Sequence, residues 1–254
     1  MLYRPLYWTS FWCEDWLFKS NYRGRAELIF ISSASSKTAF CLAYCIQLRI
    51  RNGEVSADTK LIGLTSKRNT GFTERLGLYH EVVSYDEINE RSFGFGVRAI
   101  YVDVAGSDAF NKKLLTVQGP VFVAAIKLGM SNVKPTELDP TNVWTKNTTL
   151  EGAEARSASV GTLELESFFM VEWLAVRVKE LSVKEIVRMQ ADAWKRFLVD
   201  AKEWVEITRV YGGEKVKAAY EYALKDGLRA EDGYVWSLWN EERGFVKRGV
   251  KSKL

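Results

Sequence analysis

The chain has 254 residues, a formal net charge of +4, a hydrophobic content of 47% and a charged content of 27%. This length is sufficient for one large or two modest domains with a sizeable core, and the composition is ordinary for a globular protein. No apolar run is long enough to cross a bilayer. Because the sequence contains one histidine, His80, and three cysteines, neither a zinc site nor a histidine-based catalytic centre is expected.

Three further features of the composition indicate where the protein works. The basic residues near the C-terminus are not interleaved with aromatic residues, which is typical of a solvated tail rather than a nucleic-acid-binding arm. The odd number of cysteines predicts small buried side chains in a reducing compartment. The N-terminus, which Pro5 and Thr9 interrupt, does not resemble a signal peptide. We therefore expect a cytoplasmic protein that binds neither nucleic acid nor a membrane.

The first half of the chain alternates helical patterns with short apolar runs. The first helix, from about residue 6 to residue 19, carries Trp8, Trp12 and Trp16 at helical spacing. Strands are predicted at 28–31, 60–65, 81–85, 98–104 and 120–126, with helices at about 36–48, 70–76 and 109–115. This alternation predicts an α/β fold, in which right-handed crossovers place helices on both faces of a parallel sheet.

The second half of the chain has a different pattern. Residues 129–161 are rich in Asn and Thr with weak periodicity, which predicts a long surface excursion. From Leu163 onward a helix is predicted, and Ser182 is predicted to cap a second helix that runs to about Val205. A third helix is predicted at 214–225, followed by a final strand at 234–239.

A turn of small hydroxyl residues follows the first strand. Ser32, Ser33, Ser35 and Ser36 lie between this strand and the next helix. The first amides of a helix have no internal partner and the helix dipole favours negative charge there, so the turn could bind a phosphate. An ordinary serine-rich helix cap explains the same residues equally well.

The end of the second strand carries cations instead of an acid. Ser66, Lys67, Arg68 and Asn69 follow this strand, and ligands of open parallel sheets bind at the carboxyl ends of the strands, where the strand order reverses. Hydroxyl, amide and cationic groups suit a ribose that carries a phosphate. An exposed basic helix start is the alternative.

Three segments together resemble the cofactor-binding half of the medium-chain dehydrogenase/reductase superfamily. They are residues 28–38, 61–69 and 75–85, and the first helix and the C-terminal helix and strand are similar as well. The Arg4-Pro-Leu opening, the 31–39 turn and Phe168-Phe-Met are similar to a microbial and fungal branch, DUF2855. The resemblance implies a Rossmann-like dinucleotide-binding domain at 1–135, a loop at 136–162 and a helical C-terminal segment with a final strand at 163–254.

The resemblance also implies a cofactor, NADP(H), and the residues that hold it. The pyrophosphate contacts are carried over to Ser33, Ala34, Ser35, Ser36, Lys37 and Thr38. The 2′-phosphate contacts are carried over to Ser66, Lys67 and Arg68, with Tyr85 beside that phosphate. The glycine-rich fingerprint is absent, since residues 33–36 occupy its place. No zinc-ligand pattern and no catalytic residue can be carried over.

The barrel-like N-terminal domain of the superfamily has no counterpart in this chain. We therefore expect the Trp-rich first helix and the last strand to be covered by a second copy of the chain or by a missing partner domain. The resemblance implies an oxidoreductase that transfers hydride to a carbonyl or an activated alkene of a small molecule, or a truncated remnant of one. The alternatives are a non-catalytic nucleotide-sensing or interaction module and, ranked last, a methyltransferase.

Overall fold

A computed structural model of the chain describes residues 3–19, 21–115, 117–128 and 165–240. The loop predicted at 136–162 lies outside these residues. The helices are α1 (Arg4–Lys19), α2 (Asn21–Arg25, a left-handed turn), α3 (Lys37–Arg51), α4 (Thr70–Arg75), α5 (Asp108–Leu115), α6 (Met170–Arg177), α7 (Val183–Asp200) and α8 (Gly213–Asp226). The strands are β1 (Leu28–Ile31), β2 (Lys60–Thr65), β3 (Glu81–Ser84), β4 (Arg98–Asp103), β5 (Val121–Lys127), β6 (Leu165–Ser167), β7 (Glu206–Tyr211) and β8 (Asp232–Ser237).

The chain forms two compact units, Met1–Phe197 and Leu198–Leu254. The first unit is built on a six-stranded sheet with the order β3-β2-β1-β4-β5-β6, in which every pair of neighbours is parallel. All four residues of β1 are buried, as a central strand covered on both faces requires. The predicted Rossmann-like fold is confirmed. The strand order reverses between β1 and β4, which places the switch point at the serine turn.

Helix α1 packs against α3 and carries buried aromatic residues. Trp12 and Trp16 are buried, and the Ser10 hydroxyl donates to the Thr38 carbonyl oxygen over 2.8 Å. The side chains of α1 that were expected to need an external cover are thus largely covered by the chain itself. Among the described residues, none of the helices is long and apolar enough to cross a membrane.

The helix predicted from Leu163 is wrong at its start. Residues Leu165–Ser167 instead form β6, which pairs in parallel with β5, and the helix begins only at Met170. Three residues at a sheet edge are too few for a strand pattern to be recognised, and the hydrophobic spacing that continues into α6 dominates the window. The predicted cap of the next helix is present, because the Ser182 hydroxyl accepts the Glu185 N–H over 3.2 Å. That helix ends at Asp200 rather than near Val205.

The second unit contains a two-stranded parallel sheet, in which β7 pairs with β8, and helix α8. The final strand is present as predicted, whereas β7 had no counterpart in the sequence analysis. Trp236 and Trp239 are 41% and 59% exposed. Their cover by a second copy or by a partner domain stays a prediction.

Candidate functional site

The end of β1 is fastened to the end of β4 by the buried hydroxyl of Ser32. Its oxygen accepts the backbone N–H groups of Val104 and Ala105 over 2.8 and 3.1 Å, and it donates to Oδ1 of Asp103 over 3.0 Å. These three bonds cross the switch point of the sheet. The two strand ends that border the predicted crevice are therefore held in a fixed relative position.

Asp103 is the centre of this buried network. Its Oδ1 also accepts the Gly106 N–H over 2.9 Å, and its Oδ2 accepts an amide hydrogen of Asn111 over 2.8 Å. The amide oxygen of Asn111 in turn accepts the Tyr101 hydroxyl over 2.7 Å. Burial, followed by the charge of Asp103, raises the pKa of Tyr101 well above its usual range. Asp103 is thus a structural anchor for the crevice, with both carboxylate oxygens engaged.

The serine turn uses most of its own hydrogen-bonding groups. Ser33 has a left-handed backbone (φ 48°), which usually favours glycine, and its N–H donates to the Tyr85 hydroxyl over 2.7 Å. Ala34 is fully buried beneath the turn, between the Leu64 carbonyl and the Tyr79 hydroxyl. Ser36 caps α3 by accepting the N–H of Ala39.

The second predicted corner lies directly beside the serine turn. The Ser35 hydroxyl oxygen accepts both the Thr65 hydroxyl and the Asn69 side-chain amide, each over 3.1 Å. Lys67 and Arg68, in the turn that leads to Asn69, are exposed, and Ser66 is half-buried. The structure therefore brings the ends of β1 and β2 together, with two exposed cations at the second end.

Tyr85 joins three parts of this region. Its backbone N–H donates to the Thr65 carbonyl over 2.9 Å, its ring lies edge-on against Phe110, and its hydroxyl binds the turn at Ser33. The Lys113 ammonium donates to its carbonyl oxygen over 3.1 Å. Burial raises the pKa of the Tyr85 hydroxyl, although the hydrogen bond from Ser33 acts in the opposite direction. The sequence pattern did not reveal the contact with Ser33, because 52 residues separate the two.

A groove of about 300 Å³ lies elsewhere in the first unit, between α1, α3 and α7. Tyr7, Phe11 and Met189 line it, together with the ion pair between Glu14 and Arg49. Burial raises the pKa of the Glu14 carboxyl to about 7, even though Arg49 lowers it. This groove contains none of the predicted site residues. Within the part of the chain that the structure describes, no group of three or more His, Cys, Asp or Glu residues could hold a metal ion.

The fold is similar to that of solved oxidoreductases. CurK enoyl reductase superposes with a TM-score of 0.50 at 13% identity, over 89% of this chain and 60% of that chain. CurA from Vibrio vulnificus in complex with NADPH gives a TM-score of 0.49 at 11% identity, over 90% of this chain and 61% of that chain. The chain thus spans about 60% of the length of these enzymes. At 13% identity, the similarity to CurK enoyl reductase supports the predicted fold.

No curated protein matches the chain. A family model matches residues 1–229, which is most of the sequence. The chain belongs to the family described as "protein of unknown function (DUF2855)".

Proposed function

We propose that this protein binds NADP(H) at the carboxyl ends of β1 and β2 and is an oxidoreductase that transfers hydride to a carbonyl or an activated alkene. The observation that carries this proposal is the direct contact between the two predicted corners, through the Ser35 hydroxyl. A dinucleotide with a phosphate on its ribose needs two anion sites within one molecule's reach. The serine turn, at the switch point, and the Lys67–Arg68 pair, at the end of the neighbouring strand β2, supply these two sites side by side.

The residues at the serine turn fit a pyrophosphate group. The turn leads into α3, a helix of 15 residues whose N-terminal dipole favours an anion, and Lys37 adds a positive charge there. The Ser35 oxygen already accepts two hydrogen bonds, so its own proton remains available as a donor. Ser36 and Thr38 are half-buried at the same helix start. Ser33–Thr38 are therefore proposed to hold the pyrophosphate. Within this segment the buried Ala34 anchors the turn through its backbone hydrogen bonds.

The second corner fits a 2′-phosphate. Lys67 and Arg68 are exposed cations, and Ser66 adds a hydroxyl beside them. A guanidinium can bind two oxygens of a phosphate at once, which gives both affinity and selectivity for the phosphorylated cofactor. NADP(H), when bound, would supply the hydride, whereas the residues of this chain would bind and orient the cofactor. No residue of the chain is proposed as a proton donor.

Titration of the purified protein with NADPH and with NADH tests this proposal. The double variant Lys67→Ala/Arg68→Ala should bind NADPH at least about tenfold more weakly and NADH unchanged, because the lost contacts are to the extra phosphate. Lys184→Ala/Arg188→Ala, which removes two exposed cations from α7, is the matched control and should bind both cofactors as the wild type does. Negligible binding of both cofactors by the wild-type protein would contradict the proposal.

A non-catalytic nucleotide-sensing module is the second candidate, and one observation favours it. The Ser33 amide is already engaged inside the protein, as are both lone pairs of Ser35. A turnover assay with aldehydes, quinones and enones separates the two functions. NADPH-dependent reduction that is lost on Ser35→Trp supports the oxidoreductase, whereas NADPH binding without reduction of any substrate supports the sensing module.

A further inference from the structure

The backbone amides of the serine turn are largely consumed within the protein. The Ser32 N–H donates to the Val102 carbonyl over 3.0 Å, the Ala34 N–H to Leu64 over 2.9 Å, and the Ser36 N–H to Ser33 over 2.7 Å. The Ser33 N–H is bound by the Tyr85 hydroxyl. A glycine-rich turn lets the backbone itself approach a pyrophosphate. Because these amides of the serine turn are already engaged, other groups must donate hydrogen bonds to a bound pyrophosphate.

The phenol of Tyr85 is placed to be such a donor. Its oxygen accepts the Ser33 N–H over 2.7 Å, and this bond does not use the proton of the phenol itself. Tyr85 is half-buried, and the hydrogen bond between its hydroxyl and the Ser33 N–H is itself only partly buried. Its raised pKa keeps the hydroxyl protonated near neutral pH, and a protonated phenol donates to an anionic oxygen.

The surroundings of Tyr85 favour an anion at this position. Lys113 contacts the carbonyl oxygen of Tyr85, and Lys37 lies at the start of α3, which follows the same turn. The buried carboxylate of Asp103 also acts on Tyr85 by raising the pKa of its hydroxyl, but the oxygens of Asp103 accept hydrogen bonds from Ser32, Gly106 and Asn111. Lys113 and Lys37 thus place positive charge beside Tyr85 and the turn, whereas the carboxylate oxygens of Asp103 are engaged in hydrogen bonds.

We propose that the Tyr85 hydroxyl replaces the Ser33 amide as the donor to the cofactor's pyrophosphate, in a relay in which the Ser33 N–H holds the phenol and the phenol binds the phosphate. This inference rests on the proposed function and changes the role of one residue. The resemblance implied that Tyr85 lies beside the 2′-phosphate, whereas its hydrogen bond to Ser33 assigns it to the phosphate group that NADPH and NADH share.

The variant Tyr85→Phe separates these two roles. It keeps the ring against Phe110 and removes only the hydroxyl. The relay predicts that the affinities for NADPH and NADH fall by the same factor, about tenfold, since a hydrogen bond to a charged group is lost from both complexes. Tyr220→Phe is the matched control, because it removes an exposed phenol hydroxyl of α8, outside the proposed site, and it should leave both affinities unchanged.

The outcomes distinguish this inference from the proposed function. If wild-type protein binds NADPH and Tyr85→Phe binds it equally well or more tightly, the relay is wrong while the proposed function stands. A loss for NADPH alone would place Tyr85 at the 2′-phosphate and overturn the relay. Failure of the wild-type protein to bind either cofactor overturns both proposals. Should Tyr85→Phe not fold, 3-fluorotyrosine at position 85, a stronger donor, should tighten the binding of both cofactors, and an unchanged affinity overturns the relay.

Discussion

Asp103 illustrates how a single residue holds the crevice together. It is fully buried, and its carboxylate accepts hydrogen bonds from Ser32, Gly106 and Asn111. The three donors come from the β1 turn, the β4 turn and α5. A buried carboxylate is tolerated only when such donors compensate for its lost hydration. The same network sets the distance across the switch point, so its loss affects both stability and the shape of the site.

We expect Asp103→Asn to lower the free energy of unfolding by about 2–4 kcal/mol. The new amide group must face either the Asn111 amide or the Ser32 and Gly106 donors, so a donor meets a donor in either orientation. Denaturant titration measures the loss. Asp86→Asn, at an exposed position, is the control and should change the midpoint very little. Equal midpoints for the two variants would show that the network contributes nothing.

The single histidine makes stability depend on pH in a defined direction. The Nδ1 atom of His80 accepts the Leu61 N–H over 2.9 Å, and burial, with a smaller effect of Lys60, lowers its pKa. Because the unfolded chain binds the proton more readily, this contribution to stability is present above pH 6.5, the ordinary pKa, and is lost as the pH falls through the lower folded pKa.

His80→Asn should remove this dependence, since the Asn side-chain oxygen can accept the same N–H without titrating. Unfolding free energies measured from pH 8 to pH 5 should therefore fall more steeply for the wild-type protein than for the variant. Parallel curves for the two proteins would mean that His80 is not responsible.

The sequence predicted individual roles only where the partners are close in the chain. The Ser36 and Ser182 caps follow from a local pattern, because a cap and its amide are three residues apart. The contact of Tyr85 with Ser33 spans 52 residues and depends on how far a side chain reaches across two strand ends. Local patterns contain no information of that kind. The corner residues were found because strand ends of a parallel sheet necessarily meet at one edge.

At the scale of elements, Gly63 allows the serine turn to pack onto β2. A Cβ atom at this position would lie 2.8 Å from the Tyr79 ring and 3.1 Å from the Ala34 side chain. Both neighbours are held in place, since the Tyr79 hydroxyl donates to the Ala34 carbonyl. The close approach of strand and turn therefore requires the absence of a side chain.

Gly63→Ala should destabilise the protein by about 1–3 kcal/mol, because the turn must move away from β2. Gly71→Ala in α4 is the matched control. Its new methyl group meets only the flexible Arg75 guanidinium at 3.7 Å, and alanine favours the helix, so the melting temperature should stay the same or rise slightly. A tolerated Gly63→Ala would show that the turn is not packed as closely as described.

The five strands of the first half could be predicted because each is an apolar run between clear turn signals, and three of them are almost wholly buried. Two of the later strands, β6 and β7, lacked that signal. β6 has three residues, and β7 is exposed over its first four, so neither presents a buried run or a clear alternation. Pairing with β5 and β8 defines them, and pairing is decided by the tertiary structure rather than by propensity.

At the scale of the whole molecule, the segment before residue 129 and the segment after residue 164 contact each other within the first unit. Asp15 of α1 accepts a hydrogen bond from Trp173 over 2.8 Å and pairs with Arg177 at an N–O distance of 3.0 Å. Arg23 pairs with Glu166 of β6, and its guanidinium lies 5.5 Å from the centre of the Trp16 ring. The predicted boundary near residue 135 lies between two segments of the chain, one before residue 129 and one after residue 164. These two segments contact each other within the first unit.

The pair between Arg23 and Glu166 is buried, with side-chain exposures of 3% and 7%, whereas Glu180, which pairs with Lys19, is 39% exposed. Breaking a buried pair leaves a charge that water cannot solvate, but an exposed pair exchanges its partner for solvent. Glu166→Gln should therefore lower the free energy of unfolding by about 2–4 kcal/mol and weaken the attachment of β6. Glu180→Gln should leave the denaturation midpoint unchanged. Because both ion pairs connect the start of the chain with the segment after residue 164, similar midpoints for the two variants would mean that burial does not determine how strongly that segment is held.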